Sequence, residues 1–363
     1  MRTLNYTVRF TTPAFLGGAD QSGQWRTPPF KALLRQWWRV AAAKDYGYDV
    51  GPIRTAEAAL FGAARDEDGG SQKSRVRIRL DGWREGSLKK TQWPGRNEAR
   101  LVHPEVTNRD GKPMKVGAEL YLGYGPLAYD RAARSTVLKA NAAIQAGESA
   151  ELKLAWPNDT EPLENALLLA HWLGTIGGRS RNGWGSLTLY PKGNGGGEFG
   201  AVGQNDSLLQ NVSLPLAECL KHDWPHAIGR DDKGLLVWQS NETFEDWRSA
   251  MKCLAEVKIA FRTHQDLAFT TGHGPFADRH LLAYPVTNHS VKNWGNQSRL
   301  ANQLRFKVLE EGDAFRSIAF HLPCALPREL ADKLGRPAPS QDQQASIWRN
   351  VHKVLDQQMQ RIP

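Results

Sequence analysis

At 363 residues the chain is long enough for about two domains and for cores that need neither disulfides nor metals. Hydrophobic residues make up 40% and charged residues 23%, which excludes wholesale disorder, and no apolar run reaches the roughly 18–20 residues of a membrane span. The net charge of +9 is uneven: +8 falls in residues 1–190 and +7 of that in 71–115, so a polyanion, nucleic acid first, is the expected partner. MRTLNYTVRFTTP lacks the apolar core and cleavage site of a secretion signal. Cys219, Cys253 and Cys324 are too widely spaced for a disulfide framework, so a cytoplasmic location is expected.

Asn5–Phe10 alternates polar and apolar residues and reads as a strand. After a Gly/Pro/Thr loop, PPFKALLRQWWRVAAA reads as a helix with Pro28 and Pro29 in its first turn and Thr27 as its cap. Phe30, Leu33, Leu34, Trp37, Trp38 and Ala41 form one apolar face. Lys31, Arg35 and Arg39 form a second stripe at i, i+4 and i+8, with no carboxylate between them to pair with. A short helix over Thr55–Phe61 precedes KSRVRIRL, a strand with Val76, Ile78 and Leu80 inward and Arg75, Arg77 and Arg79 outward. Residues 81–116 read as an irregular basic insertion.

Strands are expected at Leu120–Gly123 and Ala150–Trp156, then a helix over Glu161–Leu173, a Gly-rich segment and the strand SLTLY. Residues 191–207, PKGNGGGEFGAVGQNDS, read as a flexible linker, giving domains over 1–190 and 208–363. Beyond it the pattern predicts a strand at Leu235–Trp238, a helix over Thr243–Ala260, a hairpin from RLANQLRFKVLEEG and FRSIAFHL, and a closing helix over Ser346–Met359. Strands with few, scattered helices predict an α+β fold.

The segment from Gly174 to Ser186 is the most specific motif. Glycines permit tight turns and close approach to a phosphate, Arg179 and Arg181 bring counter-charge, and Trp184 is suited to stacking on a base. The alternative is a helix cap with its loop. No P-loop is present. GYGPLA and GHGPFA each place a proline after the second glycine, which argues against a dinucleotide site, and no cofactor motif is found. Cys219, His222 and His226 have spacings that a zinc site uses, but no fourth ligand is evident and a polar loop is the simpler reading. His264, His273, His280 and His289 are scattered loop histidines that include a candidate general base. Trp25, Trp83, Trp93 and Trp184 lie among arginines in loops and are the tryptophans suited to base or sugar contact, whereas Trp37 and Trp38 read as core.

Taken together, TTPAFLGGAD, the PPFKALLRQWWR helix, LFGAA and HWLGTIGGRSRNGWGSL resemble the signatures of the RAMP superfamily of CRISPR proteins, and within it the two-domain subunits of type III-B (Cmr) effector complexes. The resemblance covers the first half well; RHLLAYPVTN and SRLANQLRFKV fit a second RAMP domain more loosely. It implies two ferredoxin-like (RRM-type) domains with loop insertions, forming a non-catalytic RNA-binding subunit at the head of the complex. Its implied partners are the 3′ region of the CRISPR guide RNA and neighbouring RAMP subunits, and it leaves contact with target RNA open. On this reading the RNA-binding candidates are Arg26, Lys31, Arg35, Arg39, Arg75, Arg77, Gly177, Gly178, Arg179, Arg181 and Trp184, with no catalytic residue, metal or cofactor expected. The competing reading is a metal-independent endoribonuclease acting on guide precursors.

Overall fold

The computed structural model describes every residue except 19–20, 65–69, 159–161, 194–198, 201, 204–205, 270–271, 287–288, 296 and 363. Strand β1 (Arg2–Phe10) buries Leu4, Tyr6, Val8 and Phe10 and leaves Thr3, Asn5 and Arg9 outside. Helix α1 (Thr27–Ala42) presents Phe30, Leu33, Leu34, Trp37 and Trp38 to the core. Each such burial contributes roughly 1.5–3 kcal/mol, far more than the helix's surface charges. Thr27, expected as the cap, is instead the first helical residue, and Arg26 stands extended at the cap position without a side-chain hydrogen bond to the first turn of the helix. The prolines in the first turn lower the need for one, since they carry no N–H.

Helix α2 (Val50–Phe61) and strand β2 (Arg77–Leu80) follow, with the expected inward Val76 and Leu80 and outward Arg77 and Arg79. The expected irregular insertion instead contains a hairpin, β3 (Arg100–Thr107) and β4 (Pro113–Gly117), with His103 opposite Met114. Leu120–Gly123, expected as a strand, belongs to helix α3 (Ala118–Gly123). An apolar run this short has no period long enough to separate the two. A second small hairpin joins β5 (Leu127–Asp130) to β6 (Ser135–Leu138). Strand β7 (Ser149–Trp156), helix α4 (Pro162–Leu173) and strand β8 (Leu187–Lys192) complete the first unit. Its antiparallel sheet runs β8-β1-β7-β2, a βαββαβ arrangement in which β1 lies between Ser149–Trp156 and Leu187–Lys192.

The second unit repeats that order. Strand β9 (Val237–Gln239), helix α5 (Trp247–Arg262), the hairpin β10 (Leu304–Glu311) and β11 (Ala314–His321), helix α6 (Gln341–Gln358) and strand β12 (Gln360–Arg361) form a sheet ordered β10-β11-β9-β12. The fold is therefore α+β with two ferredoxin-like sheets. Residues 213–235 add a three-stranded sheet before the second unit. Of the glycine-rich stretch 191–207, residues 191–192 belong to β8 and 194–198, 201 and 204–205 lie outside the described residues.

The cores of the two units run into each other. Ile318 and Phe320 of β11 pack in the cluster that holds α1, with Phe320 5.9 Å from Trp37 between ring centres. Lys307 of β10 is fully buried and caps the end of α4, its Nζ donating to the carbonyls of His171, Ala170 (3.4 Å) and Leu187 (2.7 Å). Its charge meets the negative end of the α4 dipole there.

Candidate functional site

The Gly-rich loop between α4 and β8 is the joint of the two units. Pro13 and Phe15 accept backbone hydrogen bonds from Gly185 and Gly178, both 2.9 Å, and Thr12 Oγ1 donates to the Gly183 carbonyl at 2.8 Å. On its other side Phe306 N donates to the Arg181 carbonyl at 3.1 Å, and Val308 N donates to Ser186 Oγ at 2.9 Å.

The glycines are needed for this protein–protein fit. Gly185 has φ 65° and a Cβ there would lie 1.9 Å from the Ile176 carbonyl oxygen; Gly177, at φ 96°, would meet the Phe15 oxygen at 2.8 Å. The expectation that Gly177 and Gly178 open the backbone to a ligand is corrected accordingly: both abut the Phe15 segment. Arg179 adopts φ 58°, a left-handed conformation that costs a non-glycine residue roughly 1–2 kcal/mol.

That joint carries Arg179 and Arg181 to the edge of a groove of about 1140 Å³ between the units. Hairpin β3–β4 and α3 contribute His103, Glu105, Val116 and Tyr121; α5 contributes Lys258 and Arg262; and β10 with the segment between α5 and β10 contributes Phe269, Arg279, Tyr284, His289, Arg299 and Arg305. Among the described residues seven cations therefore line the groove against one carboxylate, Glu105, and that carboxylate is held by Arg279 at 2.5 Å. Arg279 also lies over the Phe269 ring at 4.4 Å. Among the described residues no carboxylate pairs with Arg179, Arg181, Lys258, Arg262 or Arg305.

Burial of these cations shows in their acidities. Burial, and then Arg262 and Arg179, hold the Lys258 ammonium well below its usual range. Lys258 Nζ donates to Asn182 Oδ1 at 2.9 Å, and Asn182 in turn donates to the Leu122 carbonyl at 2.8 Å. Burial lowers Arg179, Arg181 and Arg262 as well, and takes Arg305 down to about 9 with Arg181 adding to the push. Such an arrangement attracts polyanions and offers aromatic faces beside the cations.

The remaining candidates lie outside the groove. Arg35 and Arg39, read as a stripe without partners, both bind the buried carboxylate of Glu57 from α2, at 2.5 and 3.0 Å. The partner is distant in sequence, so helical spacing did not reveal it. Lys31 is half-buried beside Arg35, and burial holds its ammonium below the usual lysine pKa. Arg26 donates to the Gly17 carbonyl at 2.5 Å. Arg75 and Arg77 are exposed beside and on β2, away from the groove lining.

Trp184 is corrected: it is 0% exposed, packed against Phe15, Trp93 and Trp247, and cannot stack on a base from there. Trp25 and Trp93 are buried too, whereas Trp83 is exposed. Five groove cations, Lys258, Arg262, Arg279, Arg299 and Arg305, escaped the sequence reading because the second half is nearly neutral overall. Two signals were nonetheless present: Lys258 and Arg262 share a helix face at i, i+4, and Arg305 interrupts an apolar strand.

Of the histidines, His289 lines the groove together with His103, while His280 is buried and pushed down to about 4. Burial pushes the Cys219 thiol up to about 12, and its Sγ donates to the Leu214 carbonyl at 3.6 Å. Among the described residues no cluster of three His, Cys, Asp or Glu side chains could hold a metal. Likewise none of the described helices is long and apolar enough to cross a membrane.

No family model and no curated protein matches this chain. Among solved structures it is similar to Cmr1 from Pyrococcus furiosus in its apo form, at 15% identity and a TM-score of 0.45 over 98% of this chain and 97% of that one. It is also similar to a chain of the type III-B Cmr-beta complex bound to cognate target RNA, at 13% identity and a TM-score of 0.47 over 97% and 99%. A chain of Cmr-beta bound to cognate target RNA and AMPPnP in the presence of ssDNA gives 10% identity and a TM-score of 0.46 over 97% and 99%.

Proposed function

We propose that the chain is a non-catalytic RNA-binding subunit of a type III-B CRISPR ribonucleoprotein effector, seated at the head of the complex near the 3′ end of the guide RNA. The observation that carries the RNA-binding part is the groove: cations from both units converge on it, and no carboxylate among the described residues pairs with Arg179, Arg181, Lys258, Arg262 or Arg305. The effector assignment rests on the RAMP-like segments TTPAFLGGAD and HWLGTIGGRSRNGWGSL, which build the joint that holds Arg179 and Arg181. On this reading the two sheets are separate RAMP domains over 1–190 and 208–363. Guide phosphates contact the arginines, while the half-buried Phe269 and Tyr121 offer ring surface to unstacked bases. The exposed Arg77, away from the groove, is left for neighbouring subunits or outlying RNA.

Binding of a single-stranded guide-length RNA to the full chain, followed by fluorescence anisotropy over a salt series, tests this. Five phosphate contacts predict a slope of log K against log salt of about −3.5. Replacing Arg179 and Arg181 together by Ala is expected to flatten that slope and weaken binding at least tenfold. A double variant that binds like the wild type would overturn the assignment.

His103 and His289 in the groove favour a second reading, a metal-independent endoribonuclease. Incubation with a repeat RNA decides between the two. Cleavage at one position that is lost in His289→Ala would favour the nuclease, and intact RNA the binding subunit.

A further inference from the structure

Arg305 is a cation that the protein does not neutralise. It stands in β10 between Leu304 and Phe306, is 4% exposed, and lines the groove. Among the described residues its side chain has no hydrogen-bond or ion-pair partner, and Nε in particular is buried without one. Lys307, two residues on, shows what a satisfied cation in the same strand looks like: three carbonyls surround its ammonium.

The charged neighbours of Arg305 make matters worse. Arg181 and Arg39 both repel it, and Glu57, the carboxylate that meets Arg39, is shared with Arg35. The adjoining Cys324 thiol is pushed up to about 12 by burial, so it is neutral and supplies no countercharge. A buried guanidinium without an anion is costly, and a native fold retains one where a ligand completes it.

We propose that Arg181 and Arg305 together form a phosphate-binding pocket in the groove wall, where the Gly-rich loop meets β10. Two planar guanidinium forks match the oxygens of a tetrahedral phosphate better than point charges would. This deepens the RNA-binding reading by giving one phosphate of the strand a dedicated seat, whereas Arg179, Lys258 and Arg262 hold the rest of the backbone loosely. The phosphate group could belong to an internal diester, to a terminal monoester or to a free ion, and the chemistry of the pocket suits all three.

Thermal melting of the full chain in potassium phosphate, against potassium chloride at matched ionic strength, reads the pocket directly. Phosphate is expected to raise the wild-type midpoint above the chloride value. Arg305→Met is expected to melt higher than wild type without phosphate, because the uncompensated charge is gone, and to lose the phosphate shift. A stabilised protein with a lost ligand response separates a binding role from a structural one. Arg181→Gln, on the groove edge, should reduce the shift and serves as the decisive variant if Arg305→Met does not fold.

No excess shift in wild type, or a full shift in both variants, would sink the proposal. With RNA, Arg305→Met is expected to lose about tenfold in affinity and to flatten the salt slope by about 0.7. Oligonucleotides ending in a 3′-phosphate or a 3′-hydroxyl distinguish the sources: a wild-type preference for the phosphorylated end that vanishes in Arg305→Met assigns the pocket to a terminus, and equal tenfold losses assign it to the backbone. RNA binding without a phosphate shift removes the pocket and leaves the groove reading standing. A phosphate shift without RNA binding does the reverse.

Discussion

A tryptophan serves either the core or a ligand, and its surroundings decide which. Trp184 is sealed between Phe15, Trp93 and Trp247, whereas Trp83 is 66% exposed near the start of the basic insertion. Trp184→Ala is therefore expected to destabilise the chain by about 3–5 kcal/mol, and Trp83→Ala by no more than about 0.5 kcal/mol. Urea denaturation measures both. A Trp184 variant with unchanged stability and weakened RNA binding would return that residue to the ligand site. Arg35 and Arg39 teach the same lesson for charge. A cationic stripe on a helix face looks free until the fold delivers Glu57, 9% exposed in its side chain, from the next helix. Sequence spacing reports the face of a residue but not the partner that face will meet.

Strand β10 does more than close the second sheet. Its backbone docks on the Gly-rich loop through Phe306 and Val308. Lys307 joins it to α4, and Glu310 joins it to β1 through Arg9 at 2.9 Å. Replacing Lys307 by Met leaves the His171 and Leu187 carbonyls without their donor, each worth about 1–3 kcal/mol. Removal of a buried ammonium offsets part of this. The expected net loss is about 1–3 kcal/mol, read as a lower urea midpoint. An unchanged midpoint would mean that the cap of α4 does not hold the units together. The strand and its hairpin partner were legible as two apolar-rich segments, the first alternating Leu304, Phe306 and Val308 with Arg305 and Lys307, on either side of a turn. The contact across the chain was legible only as an oddity, two cations within LRFKVL.

The molecule carries several imidazoles that it keeps neutral. Burial pushes His171 and His352 down to about 3, His226 and His280 to about 4, and His321 well below its usual value. His321 Nδ1 and His352 Nε2 lie 3.0 Å apart, with Arg305 facing the first and Asp231, Asp356, Arg349 and Arg361 around the second. In the unfolded chain these groups protonate near pH 6.5, so the unfolded state binds more protons below that point. Stability present above pH 6.5 is lost as the pH falls toward 4, by about 1.4 kcal/mol per pH unit for each group. Glu119 works the other way: burial raises it to about 7, so the folded state takes up its proton first and gains stability between pH 7 and 4.5. Five histidines outweigh one carboxylate, and a falling melting temperature between pH 6.5 and 5 is expected. His352→Gln should remove about one proton from that dependence. A melting temperature flat over this range would contradict the neutral state of the pair.

Local pattern alone determined the α+β class, the strand–helix opening of each unit, the inward faces of β1 and α1, and the β10–β11 hairpin. Those features depend on side-chain periodicity within ten to twenty residues, and periodicity is a property of the sequence. The groove is different. Arg181 meets β10 across more than a hundred residues, Lys258 reaches Asn182, and Glu57 removes two arginines from consideration. Whether a cation is spent inside the protein or left for a ligand depends on which distant atoms come within hydrogen-bond range. Only the tertiary structure decides that.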